Sequence, residues 1–219
     1  CDALITVELP EGLTEIGSYV FAECARLQNL VIPSAVNKIG YSAFSGCASL
    51  TEMVIPEGVE KINAYAFANL TALEEIVLPS TLTAIEYGAF YNCTALQKIT
   101  FSGENNLQII NQNAFEKCDL QGTIELPAAC VISDYAFAGN KDLKEIVTGD
   151  TLTTIGRYAF AGCESLKEVT VTATLVKYGA YAFTGCEKLK SFYVNAAVLP
   201  EGMFYECEDL KEITIGPDV

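Results

Sequence analysis

Residues 24–44 read CARLQNLVIPSAVNKIGYSAF, and residues 47–67 read CASLTEMVIPEGVEKINAYAF. Both are variants of one pattern, C-x-x-L-x-x-I-x-I-P-x-x-V-x-x-I-G-x-x-A-F. The phenylalanine that ends the pattern recurs every 21–25 residues on both sides of these stretches. The recurring residues are Phe21, Phe44, Phe67, Phe90, Phe115, Phe137, Phe160, Phe183 and Phe204. A period of about 23 residues over the whole chain predicts a repeat protein in which each unit is one coil of a solenoid.

Other positions of the repeat keep the same phase. Cysteine stands three residues after the phenylalanine in seven units, with Leu70 and Asn140 as the exceptions. Leucine follows at six residues, as Leu27, Leu50, Leu73, Leu96, Leu143, Leu166, Leu189 and Leu210. A single unit has no second layer against which to bury these side chains. We therefore expect consecutive coils to bury them against one another.

Within a unit, two local patterns differ. The alternation in Ile76-Val77-Leu78 predicts a short strand that Pro79 ends. The apolar spacing in residues 43–50 is helical, but Gly46 and the short length limit it to a turn or a short 3₁₀ or α segment. The position four before the phenylalanine holds Gly17, Gly40, Gly156 and Gly179, with Asn63 and Asn111 in two other units. We expect positive φ and a tight corner there, because these residue types tolerate it.

The combination L-x-x-I-x-I-P followed by I-G-x-x-A-F-x-x-C resembles the BspA-like leucine-rich repeat of bacterial and protozoan surface proteins. The resemblance implies a right-handed leucine-rich-repeat solenoid with short parallel β-strands on one face and turns or short helical segments on the other. We expect residues 1–219 to form one such solenoid of about nine to ten coils. Because the sequence starts and ends within a repeat, we also expect it to be part of a longer chain.

Composition argues against several functions. The formal net charge of −15 is unfavourable for nucleic-acid binding, and no apolar run is long enough to insert into a membrane. The chain has no histidine and no glycine-rich phosphate loop, so we expect neither an enzyme nor a bound cofactor or metal.

The chain has nine cysteines, which in principle could form disulfides or a zinc site. Eight of them share one repeat position, and Cys130 falls where other units have valine or leucine. Both positions call for a small apolar side chain, and free cysteine fits that requirement. We therefore predict reduced, buried and inert thiols and not a ladder of disulfides. The Cβ atoms of equivalent cysteines in neighbouring coils would be too far apart for good disulfide geometry.

Alternation along the strands predicts which side chains face outward and form a candidate protein-binding face. Its proposed members are Glu52, Glu75, Lys98, Glu145, Glu168, Tyr193 and Glu212. Lys144, Lys167, Lys190 and Lys211 stand near the C-terminal glutamates and would relieve their mutual repulsion. Glu52 and Glu75 have no such neighbours, so we expect the N-terminal part of the face to be more negative.

The resemblance implies a secreted or cell-surface scaffold for protein binding or adhesion, with a host matrix or plasma protein as partner. A structural spacer within a larger surface protein is the alternative, and a carbohydrate-active enzyme is a third. A solubilising face without a ligand is the competing interpretation of the strand residues. Tyr19, Tyr65, Tyr135, Tyr158 and Tyr181 form a second stripe, where packing between coils is favoured over recognition of protein or carbohydrate.

Overall fold

Most repeats form two strands, and the equivalent strands of successive repeats pair in parallel. The computed structural model describes residues 1–104, 106–126, 131–173 and 176–216. The longer strands are β3 (Glu52–Val54), β5 (Glu75–Leu78), β7 (Lys98–Phe101), β9 (Gly122–Leu126), β11 (Leu143–Thr148), β13 (Glu168–Val171), β15 (Ser191–Val194) and β16 (Glu212–Ile215). They make three hydrogen-bonded sheets, β3-β5-β7, β9-β11-β13 and β15-β16, which we call the strand face.

The second set consists of two-residue strands, which the sequence analysis did not anticipate. They are β1 (Glu15–Ile16), β2 (Lys38–Ile39), β4 (Lys61–Ile62), β6 (Ala84–Ile85), β8 (Ile109–Ile110), β10 (Val131–Ile132), β12 (Thr154–Ile155) and β14 (Lys177–Tyr178). Strands β4 to β14 of this set form one six-stranded sheet. The described residues contain turns but no helix, so the solenoid is built from strands and turns alone.

Strand register places equivalent residues of neighbouring repeats side by side. Met53 pairs with Ile76, which pairs with Ile99, and all three come from the same repeat position. The side chains of the repeat therefore form columns, and one hydrophobic core extends from Ile16 to Met203. The predicted repeat solenoid, with short parallel strands on one face and turns opposite, is confirmed.

The phenylalanines form the central column of that core. Consecutive rings, from Phe21 to Phe204, have centroids 5.0–6.1 Å apart and planes within 17° of parallel. Those from Phe44 to Phe183 are fully buried. Each ring thus has a like ring on either side, at a separation set by the strand spacing of about 4.8 Å.

Backbone hydrogen bonds around the phenylalanines join the coils along a third line. The N–H of Phe44 donates to the carbonyl of Ala66 at 2.8 Å, and that of Phe67 donates to Ala89 at 2.9 Å. Residues two before and two after the phenylalanine donate to the next coil in the same way. Ser42 bonds Ala64 in this manner, and Gly46 bonds Ala68. Backbone hydrogen bonds therefore join the turns of neighbouring coils as well as their strands.

Positive φ occurs at these flanking positions and not at the predicted one. The residues two before the phenylalanine have φ between 48° and 61°, and tyrosine is the commonest type there. The prediction that Gly17, Gly40, Gly156 and Gly179 adopt positive φ is wrong, since none of them does. A Cβ atom on Gly40 would lie 2.4 Å from the backbone nitrogen of Ser18. Glycine is needed there because two coils approach too closely for a side chain.

The cysteine position carries a hydrogen-bond role in addition to packing. The thiols of Cys47 and Cys93 each donate to the carbonyl of the phenylalanine in the preceding coil, at 3.0 Å. Cys118, Cys163, Cys186 and Cys207 make the equivalent bond at 3.1–3.4 Å. Where the column has asparagine, the Asn140 amide donates to Phe115 at 2.9 Å, and its oxygen accepts from the N–H of Leu120 at 3.1 Å. This column therefore adds a side-chain donor from the next coil to the phenylalanine carbonyls, several of which also accept a backbone N–H within their own turn.

Burial of the thiols differs between the interior and the ends. The described cysteines are free, and burial raises the pKa of Cys163 and of Cys47 to about 12. Such thiols stay protonated and unreactive at neutral pH. Cys1 is exposed and Cys207 is half-buried, so the buried thiols are those of the interior coils. Cys130 lies outside the described residues.

The close approach of coils predicts a selective effect of added methyl groups. A Cβ on Gly179 would lie 2.4 Å from the nitrogen of Arg157, whereas a Cβ on Gly12 would meet nothing within 4 Å. We expect Gly179→Ala to lower the free energy of unfolding by about 1–3 kcal/mol, because the coils must separate. Gly12→Ala is the matched control and should be neutral or slightly stabilising. Denaturant unfolding measures both, and equal effects would contradict the account.

Candidate protein-binding face

The predicted face residues all lie on the outer side of the longer strands. Glu52, Lys98, Glu168, Tyr193 and Glu212 are exposed. Glu75 and Glu145 are half-buried between their neighbours on the sheet. The alternation that assigned these side chains to the surface is therefore correct. They belong to three sheet segments: Glu52, Glu75 and Lys98 to β3-β5-β7, Glu145 and Glu168 to β9-β11-β13, and Tyr193 and Glu212 to β15-β16.

Register brings like charges together twice on this face. Glu52 pairs with Glu75, and Glu145 pairs with Glu168. Neighbouring polar groups relieve this repulsion. The Glu75 carboxylate accepts from the ammonium of Lys98 at 2.6 Å and from the Thr100 hydroxyl at 3.0 Å.

These contacts correct two expectations about the lysines. Glu75 was expected to lack a cationic neighbour, but Lys98 occupies the equivalent position in the next coil and pairs with it. Within the described part of the chain, Lys144, Lys167, Lys190 and Lys211 form no ion pair at 4.0 Å or less. Glu145 instead accepts a hydrogen bond from Thr123 at 2.7 Å. Of the two N-terminal glutamates of this face, Glu52 is therefore the one without a cationic partner.

A groove of about 630 Å³ lies over β3 and β5, and we call it the N-terminal groove. Its apolar lining includes Val31 and Val54, which are 79% and 63% exposed. Three carboxylates, from Glu52, Glu57 and Glu75, surround that lining. An open apolar surface with an anionic border suits a ligand that carries both apolar and cationic groups.

Glu57 is held in place by two serines at the border of this groove. The Ser80 hydroxyl donates to Glu57 Oε2 at 2.9 Å, and the Ser102 hydroxyl donates to Oε1 at 2.5 Å. These bonds, with the Ser102 bond as the largest effect, lower the pKa of the Glu57 carboxyl. The serines come from the two following coils, so sequence proximity gave no sign of the cluster.

A second groove of about 630 Å³ lies over β13 and β15 and includes Glu168 and Tyr193. Lys167 and Lys190 line it together with Ser191, so both signs of charge are present. The structure thus separates the predicted residues into a negative N-terminal groove and a mixed C-terminal one. Lys98, Glu145 and Glu212 lie outside the lining of both.

The tyrosine stripe packs between coils, as favoured from the sequence. Tyr135, Tyr158 and Tyr181 stack with centroids 4.9 and 5.1 Å apart. Nearer the N-terminus, Tyr19 and Tyr65 each contact Tyr41, which comes from the adjacent repeat position. Tyr19 remains 60% exposed even so.

Metal and catalytic sites need clusters of ligating or titratable side chains. The described residues contain no group of three or more histidine, cysteine, aspartate or glutamate side chains that would hold a metal ion. A general acid needs a raised carboxyl pKa, whereas the hydrogen bonds from Lys98 and Thr100 lower the pKa of Glu75. No helix in the described ranges has the length and hydropathy to cross a bilayer.

Stacked parallel strands, turns and a leucine and phenylalanine core define the class of leucine-rich-repeat solenoids. The family described as BspA type Leucine rich repeat region (6 copies) matches residues 1–121 and 130–219. The chain belongs to this family, and proteins built from such repeats are generally non-enzymatic scaffolds.

Solved bacterial structures share the fold. A leucine-rich repeat protein from Bacteroides ovatus is 24% identical with a TM-score of 0.61, over 100% of this chain and 68% of that one. The T. pallidum leucine-rich repeat protein is also 24% identical with a TM-score of 0.61, over 85% of this chain and 78% of that one. A protein from Eubacterium ventriosum is 23% identical with a TM-score of 0.56, over 96% and 66%. No curated protein matches the sequence significantly.

The Lys98–Glu75 pair predicts a pH-dependent and salt-dependent contact within the groove. The lowered pKa of Glu75 means that its contribution to stability is present above the ordinary carboxyl range and is lost as the pH falls through its folded-state pKa. We expect Lys98→Met to raise the Glu75 pKa toward the ordinary carboxyl range, because the hydrogen bond from Lys98 is the largest of the effects that lower it. Carboxyl-detected NMR titration measures this shift.

Lys38→Met is the control, because Lys38 pairs with Glu15 on the other set of strands at 2.7 Å. It should leave the Glu75 titration unchanged. High salt should reduce the difference between wild type and Lys98→Met, since both partners of the pair are substantially exposed. A Glu75 pKa that does not respond to Lys98→Met would contradict the contact.

Proposed function

We propose that the chain is the recognition scaffold of a secreted or cell-surface protein, and that the N-terminal groove is its main docking surface. Membership in the BspA-type repeat family supports a binding role, since the repeat builds a rigid face and no catalytic set. The observation that carries the proposal is the exposed pair Val31 and Val54 within a border of Glu52, Glu57 and Glu75.

The occupant of the groove is a segment of another protein that bears apolar and basic side chains. Val54 pairs with Val77 in the sheet, so the apolar lining continues across neighbouring strands. A segment lying across the strands would place its apolar groups on these valines and its lysine or arginine groups near the carboxylates. The net charge of −15 speeds the approach of such a partner. By family resemblance, the partner belongs among host matrix or plasma proteins.

A structural spacer is the second candidate, favoured by the continuous core and by the regular hydrogen bonds between coils. A spacer needs only a solvated surface. The 79% exposure of Val31 argues for recognition, because an apolar side chain on an acidic face contributes nothing to solubility.

Charge reversal tests the docking surface directly. The chain is immobilised and challenged with panels of matrix and serum proteins, and Kd is measured for any saturable partner. We expect the double variant Glu52→Lys, Glu75→Lys to weaken binding by about tenfold or more, since it places like charges opposite a basic segment.

The double variant Asp2→Lys, Glu208→Lys is the matched control. Both of its residues are exposed, and each directly follows a cysteine position rather than a strand. It changes the net charge by the same amount as the groove variant and should bind nearly as wild type. If no partner saturates, or if both double variants lose binding equally, the N-terminal groove is not the docking surface and the spacer function is favoured.

A further inference from the structure

The tyrosine stripe is interrupted at Ser42 and again at Gly88 and Asn113, and a pocket forms at the second of these interruptions. In three successive coils the position two before the phenylalanine holds Tyr135, Tyr158 and Tyr181, whose rings stack within 12° of parallel. The same position holds Gly88 and Asn113 in two earlier coils. The column of rings is therefore incomplete between Tyr65 and Tyr135.

Glycine at position 88 determines how the neighbouring rings arrange themselves. A Cβ atom on Gly88 would lie 2.7 Å from Cε1 of Tyr65, so the Tyr65 ring lies directly over the glycine. Tyr87 supplies the next ring from one residue earlier, with centroids 5.2 Å apart and planes at 71°. The two rings thus form perpendicular walls instead of continuing the stack.

These walls enclose a pocket of about 300 Å³, which we call the tyrosine pocket. Its lining consists of Tyr65, Tyr87, Tyr91, Asn113 and Glu116. The volume is at the lower end of the range of roughly 300–1,000 Å³ for small-molecule sites. Only a small group, or the end of a longer side chain, would fit.

The side chains that line the tyrosine pocket present negative electrostatic potential. Three aromatic rings offer negative faces, and the Glu116 side chain, which is only 16% exposed, adds a carboxylate. The Asn113 amide donates to that carboxylate, and the Asn113 carbonyl oxygen is buried without a hydrogen-bond donor. The Glu116 carboxylate and the buried Asn113 oxygen therefore leave negative charge and an unused acceptor beside the rings, which suits a ligand that carries positive charge and N–H or C–H groups.

A cation of the chain itself already lies at the rim. The Lys117 ammonium donates to the Tyr91 hydroxyl at 2.9 Å and lies 3.8 Å from Glu116 Oε1. The hydrogen bond to Tyr91 and the nearby charge of Glu116 raise the pKa of Lys117. The ammonium also lies 5.2 Å from the centroid of the Tyr91 ring, so Lys117 already occupies the cation position over that ring. The Lys117 side chain is 55% exposed.

We propose that the tyrosine pocket binds an alkylammonium group, held against the rings of Tyr65 and Tyr87 and by the Glu116 carboxylate, while Lys117 lies over the Tyr91 ring. Aromatic faces around a carboxylate bind ammonium ions through cation–π and ionic attraction. Either a quaternary amine or the primary ammonium of a lysine side chain has this chemistry. The site is distinct from the N-terminal groove and does not depend on it.

Titration with small cations tests the proposal. Choline represents a quaternary ammonium, n-butylamine represents a lysine side chain, and 3,3-dimethylbutan-1-ol is the neutral counterpart of choline. NMR of the tyrosine ring protons follows binding to the full chain. We expect saturable shifts with one or both cations and none with the neutral alcohol. The stronger cation identifies the source of the group.

Two variants make the result specific. Tyr87→Leu should weaken cation binding by at least about threefold. Tyr158→Leu, in the uninterrupted part of the stripe, is the matched control for folding and should bind as wild type. Lys117→Met should tighten binding by about twofold or more, because it removes a competing cation at the rim.

Equal binding of choline and the neutral alcohol would overturn the proposal and indicate an apolar pocket. Failure of both cations, or binding unchanged by Tyr87→Leu and Lys117→Met, would overturn it too.

Discussion

Each residue of a coil packs against the residue at the same repeat position in the next coil. The two must therefore fit together at the spacing of parallel strands. The phenylalanine column shows what this constraint selects, with rings 5.0–6.1 Å apart and nearly parallel. It also excludes side chains: Gly40 and Gly179 have no space for a Cβ because the backbone of the preceding coil lies there. The same constraint sets register, and register decides which charges meet on the strand face. The N-terminal groove and the tyrosine pocket are consequences of it.

The same constraint applies to polar groups, whose hydrogen bonds repeat from coil to coil. The turns have no regular secondary structure, yet the Phe67 N–H donates to Ala89 of the next coil. The thiol of Cys93 donates to Phe67, and Asn140 performs the same role for Phe115. Buried backbone groups are paired because each coil offers acceptors where its neighbour offers donors. Positive φ at Tyr65 and Tyr135 belongs to this arrangement, in which the N–H of each donates to the following coil.

The period of the sequence predicted the solenoid, the strand face and the outward position of Glu52 and Glu75, because burial alternates simply along a strand. It did not predict positive φ at the tyrosines, since hydrophobic patterns carry no information on turn geometry. Lys98 pairs with Glu75 because they occupy the same repeat position, and aligning the repeats could have revealed it. The tyrosine pocket could not be predicted, because it depends on how the Tyr65 ring lies over Gly88.

The central claim is that consecutive coils are joined in register along their whole length. Hydrogen exchange resolved to single amides by NMR tests it most directly. The account predicts strong protection of the phenylalanine amides at Phe44, Phe67, Phe90, Phe115, Phe137 and Phe160, because each donates to the next coil at 2.8–2.9 Å. Rapid exchange at these amides, or protection that stops between interior coils, would contradict a continuous stack.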